Sequence, residues 1–389
     1  MKRGQGALSV ALDEPVAEAS LRLQVIDDPV DLESLVDEWR TLLDLAGNAS
    51  IFLSPDWHLT WWQVFASPGD RLHVVTVRDD ERLIGILPLY RDWRLGRGAT
   101  LRLIGTGESE DDEVASEYGD VLVLADQATA VGDAMIVHLA TFDDWRRVVL
   151  PCLLESAVIV AAARRHATLD WLEREAGLRY RVDLEQGEEG HLALIGKSRA
   201  RRIARSRRAV ERDGGLVAVS ANDGTSLDAA FRDLAELNHE RQSALGRKSV
   251  FASARFRRFH HALGQRLYAQ GALDIVRYRL GTRLIAALYC FDDASGRHYY
   301  QSGFAARDAN RYMPLTVAHF SEMERARAAG HRWYDLMRGR PPCYKDDFGC
   351  ETSPMLELVL YRTPLDRVLA SRGRRARQFA KLRLVNLRR

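Results

Sequence analysis

Side chains that can transfer protons and stabilise developing charge are concentrated in residues 333–349, which read Trp-Tyr-Asp-Leu-Met-Arg-Gly-Arg-Pro-Pro-Cys-Tyr-Lys-Asp-Asp-Phe-Gly. Asp335, Arg338 and Lys345 lie here among large aromatic residues. This mixture is unusual for a core strand, which would be apolar, and for a solvated loop, which would be polar. Charged groups in partly apolar surroundings are suited to acid, base and electrostatic catalysis.

The surrounding pattern predicts a strand that ends at a rigid loop. A glycine before the segment stops a helix, so residues 333–337 begin as a short buried strand. Two consecutive prolines then break the strand. Polar groups at the end of a strand commonly form an active-site rim. The alternative is that Asp335 pairs with Arg338, or Lys345 with Asp347, only to fasten the loop.

Length and composition predict a globular chain of two domains, because its 389 residues exceed what one hydrophobic core usually serves. Hydrophobic residues make up 46% of the chain and charged residues 28%. The net charge of +2 gives no general attraction to nucleic acid, so no DNA partner is predicted. The four cysteines have no metal-ligand spacing, which predicts reduced thiols, no metal site and a cytoplasmic location.

No membrane span or leader is predicted. The longest apolar run, residues 148–163, is interrupted by Pro151 and Glu155 and is too short for a comfortable span. Residues 1–20 contain no long apolar region, which predicts a disordered tail.

A hairpin pattern occurs twice in the chain. Residues 72–90 align without a gap to residues 273–291, and seven of the nineteen pairs are identical. This repeat predicts a tandem duplication, with one domain in residues 21–175 and a second in residues 176–364. Apolar spacing predicts helices in residues 31–45, 55–65 and 158–175, and it places the tryptophans of the second helix in the core.

The loop of residues 108–117, called the acidic loop below, contains six carboxylates in ten residues. It could receive the ammonium group of a substrate. A run of like charge is more typical of a solvated loop, and we favour that interpretation.

Two segments are strongly basic. Residues 197–208 carry seven positive charges in twelve residues with no acid among them, on a predicted helix. A polyphosphate, an acyl carrier protein, tRNA or a membrane surface would complement them, and a solvated helix face is the alternative. Residues 365–389 predict a basic amphipathic helix that lies on an anionic membrane or docks on the protein.

Two further groups could take part in the chemistry. His239, on a predicted helix of residues 227–243, could be a general base because imidazole titrates near neutral pH, although a lone helical histidine is more often structural. Arg311, Tyr312, Met313 and Leu315 lie at the start of a predicted helix of residues 315–329. The N-terminal amides of that helix would form an anion site for a cosubstrate.

The order of these elements resembles the GNAT acyltransferase fold. Residues 300–304, 334–339 and 344–349 are similar to the GNAT branch of the cellulose-biosynthesis acetyltransferases, as are the arginine-rich helix and residues 237–239. The likeness extends over about residues 21–365 and implies an α/β (α+β) chain of two tandem domains. Each domain would hold a mixed, mainly antiparallel sheet flanked by helices.

That branch is related to the Fem peptidyltransferases, which also have two GNAT-like domains and use aminoacyl-tRNA. Their motif of an aromatic residue, a lysine, two residues and Phe-Gly is matched by residues 344–349. The resemblance therefore implies that Lys345 stabilises the tetrahedral intermediate. Residues 309–313 lack the glycine-rich loop with which typical GNAT enzymes bind coenzyme A.

Acyl transfer to an amine needs a neutral amine, a polarised carbonyl and a protonated leaving group. We expect Lys345, with Arg338, to supply positive charge to the oxyanion. Asp335 or His239 would accept the ammonium proton, and Tyr344 would protonate a thiolate. The candidate substrate-binding residues are Gln301, Arg241, Tyr334 and Phe348.

The function predicted is an N-acyltransferase with no permanently bound cofactor. It would move an acyl group from acyl-CoA or an acyl carrier protein thioester to an amine on a lipid, a sphingoid-type base or an envelope polysaccharide precursor. It would act in the cytoplasm or peripherally on the inner face of the membrane. The alternatives are a Fem-type aminoacyl-tRNA-dependent transferase and an inactive GNAT scaffold in polysaccharide synthesis.

Overall fold

A computed structural model describes residues 21–371 of the chain, except residues 95–97, 167 and 224–225. The predicted disordered tail of residues 1–20 lies outside the described residues. Residues 364–371 are helical, and the rest of the predicted basic C-terminal helix is not described. None of the helices in the described part of the chain is long and apolar enough to cross a bilayer.

Thirteen strands of the described residues form one sheet. The strands are β1 (Leu21–Ile26), β2 (Arg71–Asp79), β3 (Arg82–Arg94), β4 (Gly98–Leu103), β5 (Leu122–Val123), β6 (Arg147–Leu154), β7 (Asp170–Asp183), β8 (Leu216–Ser220), β9 (Leu273–Leu280), β10 (Arg283–Asp293), β11 (Gly296–Phe304), β12 (Trp333–Gly339) and β13 (Glu351–Tyr361). Their order across the sheet is β1-β2-β3-β4-β6-β13-β7-β12-β11-β10-β9-β8, with β5 beside β3.

Helices pack against this sheet. They are α1 (Pro29–Ser34), α2 (Val36–Leu45), α3 (Pro55–Phe65), α4 (Ala128–Thr141), α5 (Val158–Arg165), α6 (Gly187–Leu194), α7 (Lys197–Arg212), α8 (Leu227–Ala244), α9 (Ala254–Ala269), α10 (Ala309–Tyr312) and α11 (Pro314–Ala328). A one-turn 3-10 helix, Tyr344–Phe348, lies between β12 and β13.

The two halves of the chain have the same topology. In β1-β2-β3-β4-β6 and in β8-β9-β10-β11-β12, the first four strands are antiparallel and the last pair is parallel. Helices precede the hairpin in each half, and helices connect the two parallel strands. The predicted fold class, two tandem α/β units with mainly antiparallel sheets, is confirmed.

The duplicated hairpins agree in detail. In β3, Ile84 has no partner in the register with β2, and in β10 Ile285 is skipped in the same way against β9. The turn residues Asp80 and Gly281 both have positive φ, 49° and 59°. Because each bulge and turn lies 201 residues from its counterpart, the repeat seen in the sequence is structural.

The closing strand of each half pairs with the other half. β7 follows the first half in the chain but pairs with β12, and β13 follows the second half but pairs with β6 as well as with β7. The boundary predicted between residues 175 and 176 falls inside β7, and the division into two domains stays a prediction.

The halves also share a core. Trp57 of α3 is fully buried, and its ring lies 5.1 Å from that of Phe259 on α9 and 5.8 Å from that of Phe291 on β10. Trp61 is buried as well, so the predicted core role of these tryptophans is confirmed. Burial of three large aromatic rings between the halves stabilises their association.

Two predicted helices differ from the structure. The helix expected in residues 158–175 ends at Arg165, and residues from Asp170 onward form β7. Because β7 pairs on one edge with β12 and on the other with β13, distant strands override its local helical pattern. The helix expected in residues 31–45 is two helices, interrupted at Leu35.

The parallel strands β11 and β12 separate soon after they meet. They pair only at Arg297 with Tyr334 and at His298 with Asp335. Beyond these two pairs, a bulge at Tyr300 interrupts the register of β11 with β10. The strands therefore diverge and leave a gap in the middle of the second half.

Candidate active site

A cavity of about 470 Å³ lies at this gap. Its walls come from the acidic loop of the first half, from α8, β11 and β12, and from the 3-10 helix after β12. The charged residues that line it are Glu110, Glu113, Glu117, Arg241, Arg338 and Lys345. The cavity therefore combines groups able to bind both an ammonium ion and an anion.

The irregular end of β12 shapes one wall. The register of β12 with β7 shifts between Asp335 and Met337, and Met337 is left-handed with a φ of 65°. A non-glycine residue in this region is strained, and the Met337 amide is held by donating to Asp335 Oδ1 at 2.7 Å. At Gly339 a Cβ would lie 2.8 Å from Tyr180 Cε2 and 3.2 Å from Lys345 Cδ, so a larger residue there would crowd both side chains.

Lys345 is 8% exposed. Its Nζ donates a hydrogen bond to the main-chain oxygen of Arg338. Burial lowers the pKa of Lys345, and the nearby Glu117 and Asp335 oppose this shift. This hydrogen bond holds the ammonium at the cavity wall, and Nζ has no other hydrogen-bond partner among the described residues, so its other N–H groups can face a substrate oxygen.

Glu117 is the carboxylate most suited to proton transfer in this cavity. It is 4% exposed, and its two oxygens accept hydrogen bonds from the Arg338 amide at 3.2 Å and from Arg338 Nε at 3.1 Å. Burial raises its pKa to about 7, although the charges of Arg338 and Lys345 oppose the shift. A carboxyl group with this pKa exchanges a proton at neutral pH, as a general base must.

The sequence interpretation missed Glu117, because the acidic loop was expected to be solvated. That expectation is wrong for this residue and right for Glu110, which is exposed. A signal was present in the sequence, since apolar Val114 and aromatic Tyr118 bracket Glu117 and both are buried.

The acidic loop is fastened to the second half. The Tyr300 hydroxyl on β11 donates to the main-chain oxygen of Val114 at 2.5 Å, and the Ser253 hydroxyl donates to Asp112 Oδ1 at 2.5 Å. The first half of the chain therefore completes a cavity whose other walls belong to the second half.

Asp335 lies behind the cavity wall with its oxygens occupied. It accepts hydrogen bonds from the Tyr118 hydroxyl at 2.9 Å and from Arg179 Nε at 2.6 Å, besides the Met337 amide. Burial alone would raise its pKa, but His298 and Arg179 hold it well below its usual range. The alternative in which Asp335 pairs with Arg338 is wrong, because Arg338 pairs with Glu117 and Asp335 with Arg179.

His298 connects Asp335 to a second buried carboxylate. Its Nε2 lies 2.9 Å from Asp293, and its Nδ1 lies 3.5 Å from Asp335. Burial lowers the pKa of His298, but the two carboxylates raise it to about 10. The imidazolium is therefore a fixed charge at the last pair of residues before β11 and β12 diverge.

Five of the residues predicted for the site line the cavity: Lys345, Arg338, Tyr344, Gln301 and Arg241. Tyr344 is 39% exposed, yet its hydroxyl lies beside Tyr299, and burial of that end raises its pKa well above the ordinary value. The phenol therefore keeps its proton at neutral pH.

Two predicted substrate-binding residues are buried behind the cavity. The Tyr334 hydroxyl lies 2.9 Å from His319 Nδ1, and the ring of Phe348 packs edge-on against His319 at 5.1 Å. Both side chains pack behind the loop that carries Lys345 and support it.

His239 does not reach the cavity. It is exposed on α8, with a 3.5 Å contact to the Ser243 hydroxyl. Its predicted role as general base has no geometric support.

The residues predicted to bind the cosubstrate lie at the start of α11, outside the cavity. Arg311 Nη2 and the Tyr312 hydroxyl both contact Asp213 Oδ2, at 2.6 and 2.5 Å. Met313 is left-handed with a φ of 47°, and Leu315 is half-buried in the first turn of α11. These polar groups are already used within the protein, and their role toward a cosubstrate stays a prediction.

The predicted basic helix is α7, and it contacts the loop of Lys345. Arg199 Nε lies 2.7 Å from Asp347 Oδ1, and Arg199 Nη1 donates to the Asp346 main-chain oxygen at 3.3 Å. Asp347 therefore pairs with α7 and not with Lys345. Four exposed or partly exposed cations of α7 have no ion-pair partner among the described residues: Lys197, Arg201, Arg205 and Arg208.

The edge of β11 that faces the gap is closed by side chains. The Ser302 main-chain amide donates to Gln301 Oε1 at 3.0 Å, and the Ser302 main-chain oxygen accepts a hydrogen bond from Asn238 Nδ2 at 2.7 Å. Asn238 is fully buried and accepts a hydrogen bond from the Ser249 hydroxyl at 2.7 Å. At Gly303 a Cβ would lie 2.3 Å from the Asn238 nitrogen, so α8 packs directly on this strand.

Comparison with known families agrees with this geometry. The family described as "Acetyltransferase (GNAT) domain" matches residues 197–346, a range that includes α8, β11, β12 and Lys345. The chain is an acyltransferase with a GNAT domain. The first half repeats the topology of this GNAT domain. No curated protein matches the chain by sequence.

Solved structures share the fold of both halves. FemX has a TM-score of 0.59 and 10% identity, over 85% of this chain and 97% of FemX. The C-terminal domain of a putative lysylphosphatidylglycerol synthetase from Agrobacterium fabrum has a TM-score of 0.51 and 12% identity, over 87% of this chain and 94% of that chain. L-PGS from Bacillus licheniformis has a TM-score of 0.51 and 13% identity, over 89% and 96%. At such identities the likeness concerns the fold alone.

Proposed function

We propose that the protein is an N-acyltransferase that moves an acyl group from a thioester, acyl-CoA or an acyl carrier protein conjugate, to an amine. The observation that carries the proposal is that Glu117 and Lys345 line the same cavity, which the acidic loop completes against the GNAT domain. One group titrates near neutral pH, and the other is a buried cation. Together they meet the two demands of amide formation, removal of the amine proton and stabilisation of the oxyanion.

In the proposed reaction, Glu117 accepts the proton of the acceptor amine. The amine nitrogen then attacks the thioester carbon, and the carbonyl oxygen becomes an oxyanion. Lys345, with the guanidinium of Arg338, stabilises this charge. When the tetrahedral intermediate collapses, the carbon–sulfur bond breaks, the Tyr344 hydroxyl protonates the leaving thiolate, and the second proton of the attacking nitrogen passes to the Tyr344 oxygen. The products are a neutral amide and a free thiol, and Glu117 releases the first proton to solvent.

We propose an acceptor from the bacterial envelope, such as an amino lipid, a sphingoid-type base or a polysaccharide precursor. The support is the resemblance of the motifs to the cellulose-biosynthesis acetyltransferases, together with the unpaired cations of α7. These cations adjoin the loop of Lys345 through Arg199 and would receive an anionic acyl carrier or a membrane surface. Such a substrate fits a cytoplasmic enzyme that works at the inner face of the membrane.

A second candidate is a Fem-type transfer from aminoacyl-tRNA. The observation that favours it is that side chains occupy the backbone groups at the edge of β11 at Ser302. The pantetheine arm of a thioester donor carries amide groups, and on a free edge it would pair with β11 as a further strand does. An ester donor needs no such edge. Binding of tRNA that weakens steeply with salt would favour this candidate.

The test is mass spectrometry of the reaction products. The purified protein would be incubated with acyl-CoA, acyl carrier thioester or charged tRNA, each with a crude lipid extract. Transfer from a thioester that Lys345→Ala abolishes would support the proposal and identify the acceptor by its mass. Transfer from charged tRNA alone would favour the second candidate, and no transfer from any donor would contradict both.

A further inference from the structure

Among the described residues, Arg241 differs from Arg338 in pairing with no carboxylate, and it differs from Lys345 in having no main-chain anchor. Arg338 contacts Glu117, and the Nζ of Lys345 is anchored to a main-chain oxygen. Arg241 lines the same cavity from α8, and it has no ion-pair partner among the described residues.

The guanidinium of Arg241 is held in place without being neutralised. Its Nη1 donates to the Ser302 hydroxyl at 3.0 Å, and that hydroxyl oxygen, Ser302 Oγ, lies 2.6 Å from the Tyr299 hydroxyl. Ser302 is fully buried and Tyr299 is 5% exposed, so this support is rigid. One edge of the guanidinium is used, and its remaining N–H groups can bind an anion in a forked geometry.

The acidic loop provides the opposite charge in the same cavity. Glu110 and Glu113 line it together with Glu117, and both are exposed. They favour a cationic group on their side and repel a large polyanion that enters past them. A small anionic group on the molecule that carries the amine would therefore reach Arg241 without bringing a large polyanion past these carboxylates.

We propose that the acceptor is an amine that also carries an anionic group, a carboxylate or a phosphate, and that Arg241 binds this group. The ammonium end lies toward Glu117 and loses its proton there. This inference rests on the proposed N-acyl transfer and adds the chemical class of the acceptor. Under this proposal, Arg241 determines the preference of the enzyme for acceptors that carry the anionic group.

The experiment measures kcat/KM for matched acceptors with an acyl-CoA donor at a fixed concentration. L-alanine is compared with L-alaninamide, and O-phosphoethanolamine with ethanolamine, so that the two pairs distinguish a carboxylate from a phosphate. We expect the anionic member of at least one pair to be preferred by about 10- to 100-fold, because a charged group contributes a strong hydrogen bond. Arg241→Gln should abolish that preference and leave the KM of the donor unchanged. Arg232→Gln, an exposed arginine on the same helix, is the control and should keep the preference.

Several outcomes contradict the inference in different ways. Equal use of both members of each pair, or a preference that survives in Arg241→Gln, overturns the anionic acceptor and leaves N-acyl transfer standing. A raised donor KM with an unchanged acceptor preference assigns Arg241 to the donor and also overturns the inference. If the wild-type protein acylates none of the four amines but acylates a component of the crude lipid extract, the inference is overturned and N-acyl transfer stands. If it acylates neither, both are overturned.

Discussion

Glu117 and Arg338 join the two halves of the chain at the cavity. The amide and Nε of Arg338, on β12, donate to the two oxygens of Glu117, on the acidic loop, at 3.2 and 3.1 Å. The Glu117 carboxylate, which belongs to the first half of the chain, therefore contacts β12 of the second half. Every step of the proposed reaction depends on this contact, because it places a titrating carboxyl beside Lys345.

Replacement of Glu117 by glutamine should remove the general base and keep the size of the side chain, with one of the two hydrogen bonds from Arg338 retained. We expect kcat/KM to fall by about 10²- to 10⁴-fold, the usual contribution of general base catalysis. Steady-state kinetics measures the loss, with Glu110→Gln as the control on the exposed part of the same loop. A Glu117→Gln enzyme with at least a tenth of the wild-type rate would exclude the carboxylate as the base.

The pH dependence of the wild-type enzyme should report the same group. Because burial raises the pKa of Glu117 to about 7, the carboxyl is protonated and inactive as a base below that pH. We expect kcat/KM to increase with pH through an acidic limb at about 7. This limb should disappear in Glu117→Gln. If Asp335 were the base, its lowered pKa would leave no acidic limb above pH 5, and this result would contradict our assignment.

The raised pKa of Glu117 also predicts how stability depends on pH. A carboxyl whose pKa is raised in the folded state favours folding at low pH, and this contribution is lost as the pH increases through about 7. Relative to wild type, Glu117→Gln should therefore gain up to about 3 kcal/mol in the free energy of unfolding between pH 4.5 and pH 8. Urea unfolding at both pH values measures this change, and a constant difference would show that the carboxyl is ionised throughout.

Asp335→Asn should act on stability more than on the chemical step. The change leaves the buried charges of Arg179 and His298 without their shared carboxylate. Loss of one partner of a buried ion pair costs about 3 to 5 kcal/mol. Urea unfolding should show this loss, while Asp111→Asn on the exposed acidic loop should not. Unchanged stability together with lost turnover would instead make Asp335 a catalytic base.

The α7 cations that have no ion-pair partner among the described residues should strengthen the binding of an acyl carrier protein donor and not that of a small thioester. We expect the triple variant Lys197→Ala, Arg201→Ala, Arg205→Ala to raise the KM of an acyl carrier protein donor and to flatten its salt dependence. The KM of an uncharged acyl-pantetheine should not change. The matched control neutralises three basic residues elsewhere, Arg247, Lys248 and Arg258. Equal effects of the two triple variants would mean that net charge alone is responsible.

The local features of this fold could be predicted from the sequence. The two hairpins follow from alternation and turn residues within nineteen positions, and Lys345 was found because its motif is contiguous. The exchange of β7 and β13 between the halves could not be predicted, because residues such as Asp170 and Tyr361 pair across a long separation in the chain.

In the site, the burial of the candidate base Glu117 could not be predicted from the sequence either. The sequence shows six similar carboxylates in the acidic loop, and only the packing of one half on the other selects Glu117 for burial. The sequence offers Arg338, three residues away, as a partner for Asp335. Its actual partner is Arg179, which lies on a different strand.

The central claim is that a buried lysine assists acyl transfer from a thioester to an amine. The most direct measurement is product formation by wild type, Lys345→Ala and the exposed control Lys248→Ala, followed by mass spectrometry with the same thioester and acceptor. Loss of an oxyanion donor costs about 3 to 4 kcal/mol, so Lys345→Ala should be slower by a hundredfold or more. It should keep the wild-type fold by circular dichroism, and Lys248→Ala should be unaffected. Turnover by a folded Lys345→Ala close to that of wild type would contradict the account.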